Sequence, residues 1–227
     1  MGNFHKIVVI IGTAVIFLSF VLAYRIRKND STPSYLRNFY LCPLLAFILC
    51  GSTFAFDILG PRSNRLQVTI EKVIYIIDFF FFAYFFRLVL ANFPAKKLIE
   101  NIFFFFIVLT IPCLLITTHQ TLLHYYFRAY NNIGKLLFCL IYIYSIFKSS
   151  PKLILKNDAA FWIVMGLLFY SSVTIPIFLG YYYLAINRYV DILSIFFPLT
   201  NISIIIMHLL FIKGYLCTIQ QPKILLS

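Results

Sequence analysis

The chain has 227 residues, 62% of them hydrophobic and 11% charged, with a mean hydropathy of +0.93. A soluble domain is about half apolar and about a quarter charged, so this composition cannot cover a surface that faces water, and the expected solvent is a lipid bilayer. The net charge of +12 does not indicate nucleic acid, because Lys and Arg are scattered over short gaps between apolar stretches and build no basic face.

Crossing ~30 Å of hydrocarbon takes roughly 20 apolar residues, and seven stretches meet this. The first covers about 7–24, after "MGNFHK". Its apolar core is longer than a signal-peptide h-region, and "YRIRK" follows where a small-residue cleavage site would stand, so it reads as an uncleaved helix. Lys6 occupies the position where N-myristoylation needs Ser or Thr. The second stretch covers about 39–59.

The third, about 68–91, contains "EKVIYIIDFFFFAYFFRLVL". Glu71, Tyr75, Asp78, Phe82 and Phe85 recur at i, i+4, i+7, i+11 and i+14. That spacing puts two carboxylates and a phenol on one face of a helix, opposite a lipid-compatible face of Ile, Phe and Val. Asp78 falls about ten residues in, roughly 15 Å deep. A charge there costs at least ~2.5–3.5 kcal/mol on insertion scales, so it must face the bundle, be paired or be protonated.

The fourth stretch is about 98–118. The fifth contains "IGKLLFCLIYIYSIF", short by itself, so its helix is expected to begin back in "TLLHYYFRAYNN", giving about 122–148. The sixth and seventh cover about 159–184 and 190–213. The polar connections are short ("GPRSNR", "PAKK", "NR") and hold no soluble domain. An all-α, seven-helix transmembrane bundle is therefore expected, forming a single domain over 1–227. With the N-terminus outside, 12 of the 19 Lys and Arg fall on the cytoplasmic side and 7 on the other, which favours N-out, C-in.

This orientation sets depths. Thr200 and Asn201 in the seventh stretch, and Tyr170, Ser171, Ser172 and Thr174 in the sixth, come to the level of Asp78. A layer of Asp78, Asn201, Tyr170 and Ser171 is expected to satisfy itself by hydrogen bonds. Two readings of it stand open: glue between the third, sixth and seventh helices, or a ligand- or proton-linked site. Asp57, Arg62, Arg65, Glu71, His119, His124 and Tyr181–Tyr183 gather near the outer surface, the tyrosines as an interfacial belt. The two histidines are five apart, which is not the spacing of a helical metal pair. Pro112, Pro176 and Pro198 all fall in the outer half, where kinks can open a cavity. Trp162 is expected at the cytoplasmic interface. Cys42, Cys50, Cys113, Cys139 and Cys217 show no metal or redox spacing and read as small residues of membrane helices.

"EKVIYIIDFFFFAYFF", "NDAAFWIVMGLLFYSS" and "NISIIIMHLLFIKGYLC" resemble helices of an uncharacterised family of bacterial integral membrane proteins. Asp78 stands where that family's motif has Glu, and Phe161 and Trp162 match its Phe-Trp. The family's members look like seven-helix proteins and are similar to the membrane regions of sensor histidine kinases. The resemblance implies a sensory or signalling accessory role in the cytoplasmic (inner) membrane, beside a histidine kinase.

Three functions are in view. The first is a sensor module that binds a small or lipidic ligand in its outer half and signals to a separate cytoplasmic partner. The second is a small transporter or channel with a midplane site around Asp78, although no inverted repeat is apparent. The third is a structural subunit of a membrane complex. No catalytic motif is found, and no cofactor is expected. A retinal protein fits poorly, because Lys213 lies at the end of its helix rather than in the middle.

Overall fold

A computed structural model of the protein describes residues 3–28, 32–59, 64–91, 93, 96–118, 124–149 and 157–224. At 3–5, 52–59, 64–67, 111–118, 149, 182, 190–191 and 220–224 it describes the backbone alone. The described regular structure is entirely helical. Seven long helices and one single turn follow in order: α1 (Asn3–Arg27), the turn α2 (Ser34–Arg37), α3 (Leu41–Leu59), α4 (Asn64–Val89), α5 (Lys96–Thr118), α6 (His124–Ser149), α7 (Ala159–Ile186) and α8 (Val190–Ile224).

Each expected apolar stretch corresponds to one long helix, and the largest difference is at the end of the last. The seventh stretch is expected to stop near 213; α8 instead continues to Ile224. Gly214 is there for contact rather than termination. A Cβ on it would come 2.9 Å from the Ala159 carbonyl oxygen of α7. Gly166 of α7 is equally tight against the Met207 carbonyl oxygen of α8, at 2.9 Å. Small residues at both points let the two backbones approach closely.

Among the described residues, four stretches are long and apolar enough to cross a membrane: Lys6–Arg27, Ser34–Gly51, Ala159–Ile186 and Ile192–Ile219. The outward surface fits an apolar solvent. Phe104 and Phe105 of α5 are 69% and 59% exposed, and Phe147 of α6 is 73% exposed. Bulky apolar surface on this scale needs lipid or protein against it.

Contacts along the interfaces fix the helix directions. Phe17 meets Phe47, and Tyr24 meets Tyr40, so α1 and α3 are antiparallel. Phe80 meets Phe103, and Arg87 pairs with Glu100, so α4 and α5 are antiparallel. Asn132 meets Thr174, and Tyr142 meets Asp158, which sets α6 against α7. The tight turn from α7 to α8 passes through Arg188, whose φ of 58° reverses the chain. Ser19 meets His208, and Gly12 faces Ile205, so α1 and α8 run parallel.

The order of neighbours closes a ring: α1, α3, α4, α6, α7, α8 and back to α1, with α5 packed outside against α4 and α6. Phe39, fully buried in the turn before α3, fastens one end of the ring. Its ring contacts Phe82 and Phe85 of α4 and Phe211 and Tyr215 of α8, with centroids 4.9–6.2 Å apart. Asp158 caps α7 by accepting from the Ala160 N–H at 3.0 Å. It also accepts from the Tyr142 hydroxyl of α6 at 3.1 Å, which ties the start of α7 to its neighbour.

Candidate functional site

The acidic stripe of α4 faces α6. Glu71, Tyr75 and Asp78 look onto a matching stripe of His124, Arg128 and Lys135, spaced i, i+4 and i+11 on that helix. Glu71 meets His124 and Arg128, and Asp78 meets Lys135. Both registers rise together, so α4 and α6 are parallel and α5 returns between them.

At the lower-numbered end, the Glu71 side chain is 6% exposed and that of His124 is 3%. Glu71 Oε2 lies 2.8 Å from His124 Nε2 and also accepts from Arg128 Nη2. Arg128 Nε lies 2.8 Å from the same imidazole nitrogen. A neutral ring can serve one of these neighbours from Nε2, as acceptor or as donor. Arg128 is also surrounded by the rings of Tyr75, Tyr125 and Phe178, at 5.1, 5.5 and 5.6 Å. Tyr125 in turn stacks on Tyr181 at 3.8 Å. The guanidinium is thus held by charge and by aromatic faces together.

Two turns along, Lys135 donates to Asp78 Oδ2. The lysine side chain is 3% exposed and the aspartate 18%. The ammonium also sits 5.1 Å over the Phe82 ring. Gly134 makes room for this approach. A Cβ there would come 2.5 Å from Phe79 Cε2 and 2.9 Å from Phe106 Cε1. Each of these two acids therefore has a cation beside it. That is the condition under which buried charges are tolerated.

A cavity of about 80 Å³ opens inside the ring beside the Asp78–Lys135 pair. All six ring helices contribute to its wall, and α5 does not. Most of the wall is apolar: Ile16, Leu45, Ala46, Leu49, Ile74, Phe82, Leu167, Ile204 and Met207. The polar residues on the wall are Asp78, Lys135, Tyr75, Tyr170 and His208, together with Cys42 and Cys50. His208 is fully buried. Its Nδ1 lies 3.2 Å from Ser19 Oγ, and its Nε2 has no hydrogen-bond partner among the described residues. A concave, mostly apolar site with a few converging polar groups is the usual form of a small-molecule pocket.

The residues expected from sequence divide. Tyr75, Asp78 and Tyr170 line the cavity, and Glu71 lies one turn above Tyr75 on the same stripe. Thr174 is fully buried, accepts from Asn132 Nδ2 at 2.9 Å and donates to the Tyr170 carbonyl at 2.7 Å. It fastens α6 to α7 and does not reach the cavity. Ser171 is fully buried away from the cavity, with no partner for its hydroxyl among the described residues. Asn201 bonds its own helix, to the Phe197 carbonyl at 3.1 Å. The expected layer of Asp78, Asn201, Tyr170 and Ser171 therefore does not form. Matching depths fix the level of a side chain, but not the side of the helix from which it projects.

The expected layer puts the partners of Asp78 on the sixth and seventh stretches, whereas it pairs with Lys135 on the fifth. Arg128 and Lys135 were counted among the outer-side charges; both are inside the α4–α6 interface. The i, i+4, i+11 recurrence of His124, Arg128 and Lys135 was the available signal. Pro176 and Pro198 do not line the cavity. Arg62 and His119 lie outside the described residues, as do the side chains of Asp57, Arg65, Pro112, Cys113 and Tyr182. No protein-family model, curated protein or solved structure matches the chain.

Proposed function

We propose that the protein is a membrane-embedded sensor module that takes a small ligand in the cavity beside Asp78 and Lys135 and signals to a separate cytoplasmic protein. In this reading all seven long helices cross the cytoplasmic (inner) membrane, N-out and C-in. The alternating helix directions support this. So does the pairing of the α4 acids with α6 cations, which removes the main objection to placing those helices in lipid. With Arg128 and Lys135 taken out of the outer-side count, the cytoplasmic excess of Lys and Arg widens, in line with the same orientation.

One observation carries the choice of sensing over transport: the cavity wall and the far end of α8 belong to one continuous helix. His208 faces the cavity, and α8 runs on to Ile224, about 24 Å further at 1.5 Å per residue. Lys213 sits 5.9 Å over the Trp162 ring, an indole-and-lysine pairing that suits a bilayer interface. From that level α8 continues for about 16 Å. A shift at His208 is thus delivered beyond the bilayer without a joint. The resemblance to membrane regions of sensor histidine kinases makes such a kinase the proposed partner.

The test has two arms. The protein is purified in nanodiscs and analysed by native mass spectrometry for a bound small molecule, and the same preparation is placed in proteoliposomes for flux. Retention of a molecule that is lost in Ala46→Phe, without flux of that molecule, supports the sensor. Flux abolished by Asp78→Asn would make the protein a transporter with a site at Asp78 and overturn the sensor. A C-terminal tag accessible only from outside would overturn the orientation.

A further inference from the structure

We infer that the ligand of this cavity is a small neutral molecule with an apolar body and one hydroxyl group, bound through His208. The inference rests on the proposed ligand site and adds its chemical class.

Charge decides the first part. The carboxylate and the ammonium on the wall, Asp78 and Lys135, are bonded to each other. A charged ligand would bring an unpaired charge into an apolar enclosure, or would have to break that pair and strand one member. Either course carries a steep desolvation cost. A neutral ligand avoids both. Size agrees with a small molecule: at roughly 10–15 Å³ per water, the cavity's 80 Å³ matches several waters. Water itself suits the mostly aliphatic wall poorly, because each molecule needs two to four polar partners.

The hydroxyl follows from His208. A neutral imidazole presents one donor and one acceptor. If Nδ1 donates to Ser19 Oγ, Nε2 must accept; if Nδ1 accepts from Ser19, Nε2 must donate. The Ser19 hydroxyl can take either part, so both tautomers are open to the histidine and the group that meets Nε2 must suit either one. A carbonyl ligand meets only one of the two forms, whereas a hydroxyl meets both. It also ends the isolation of a buried nitrogen that has no partner among the described residues, and an unmet buried polar atom is costly.

Fluorine NMR on the full chain in nanodiscs tests this with four small fluoroarenes: 4-fluorophenol, fluorobenzene, 4-fluorobenzoate and 4-fluorobenzylamine. The signal counted is the difference between the native protein and the filled-cavity variants Ala46→Phe and Leu49→Trp, which cancels partition into lipid. Either variant suffices if the other fails to fold. The expected result is saturable binding of 4-fluorophenol, about tenfold weaker binding of fluorobenzene, and none of the charged pair. His208→Phe should bring 4-fluorophenol down to the level of fluorobenzene. Binding of 4-fluorobenzoate or 4-fluorobenzylamine as tight as that of the phenol would overturn the neutral class while leaving the ligand site standing. Equal affinity for phenol and fluorobenzene would overturn the role of His208. No difference between native and filled protein for any probe would overturn the inference and the ligand site together.

Discussion

Lys135 reaches Asp78 across the interface of two parallel helices, from 57 residues further along the chain. Neither charge has another ion-pair partner among the described residues. Their fates in mutants should therefore be linked. Asp78→Leu or Lys135→Met alone leaves one charge buried without its counterpart, and each should cost about 3–5 kcal/mol. The double variant should recover most of that loss. Unfolding in mixed detergent micelles, arranged as a double-mutant cycle, measures the coupling. Additive losses would mean that the pair is not a pair in solution.

Gly134, the residue before that lysine, should tolerate no side chain. In Gly134→Ala the new methyl group meets the Phe79 and Phe106 rings at 2.5 and 2.9 Å, so α4 and α5 must give way. A loss of about 1–3 kcal/mol is expected, as for overpacked cores. Gly51 has nothing within 4 Å of its Cβ position, and Gly51→Ala serves as the control. Equal stability of the two variants would contradict the close approach.

Arg128→Lys keeps the charge and should still fail to replace the native residue. The guanidinium bonds Glu71 and lies against three aromatic rings, a planar arrangement that an ammonium cannot copy. Thermal unfolding in detergent should show a loss of about 1–2 kcal/mol. Full stability of the lysine variant would reduce the site to a simple point charge.

Two polar residues at similar depth should behave oppositely. Asn132→Ala removes the buried bond to Thr174 Oγ1 and should cost about 1–3 kcal/mol. Asn201→Ala removes only a bond within its own helix and should stay within about 0.5 kcal/mol of native. Ser171→Ala deletes a buried hydroxyl that has no partner among the described residues, so it should be neutral or stabilising. The ranking, read from melting temperatures, matters more than any single value.

What was legible in the sequence follows from range. Periodicity within a helix is a local property, and the Glu71–Tyr75–Asp78 stripe came through with its buried face correct. Seven long helices stand where the seven apolar stretches lie, because helix-forming length is also local, and among the described residues four stretches are long and apolar enough to cross a membrane. Which helix that stripe meets depends on how seven cylinders close into a ring, and no short window records that. Arg128 and Lys135 looked like charges near a surface because depth was counted without knowing that α6 lies inside the bundle on that face. Asn201 misled for the complementary reason: its level was right and its azimuth was not. The length of α8 exceeds the expected span because the apolar run thins out past Lys213, while the contact of Gly214 with Ala159 that holds the helix there is tertiary.

The α4–α6 pairing also bears on how the chain is made. In the seven-span reading, α4 enters the membrane with Glu71 and Asp78 before either cation of α6 exists. At about 5–20 residues per second, the ribosome needs several seconds to add the 57 residues that bring Lys135 to Asp78. During that interval α4 should wait beside the insertion machinery rather than move out into lipid, and α5 should wait with it. Nascent chains stalled before residue 128 should crosslink to the translocon through α4, and chains stalled after α6 is complete should not. In that reading the late partner would serve as a release signal in assembly, a role separate from any ligand.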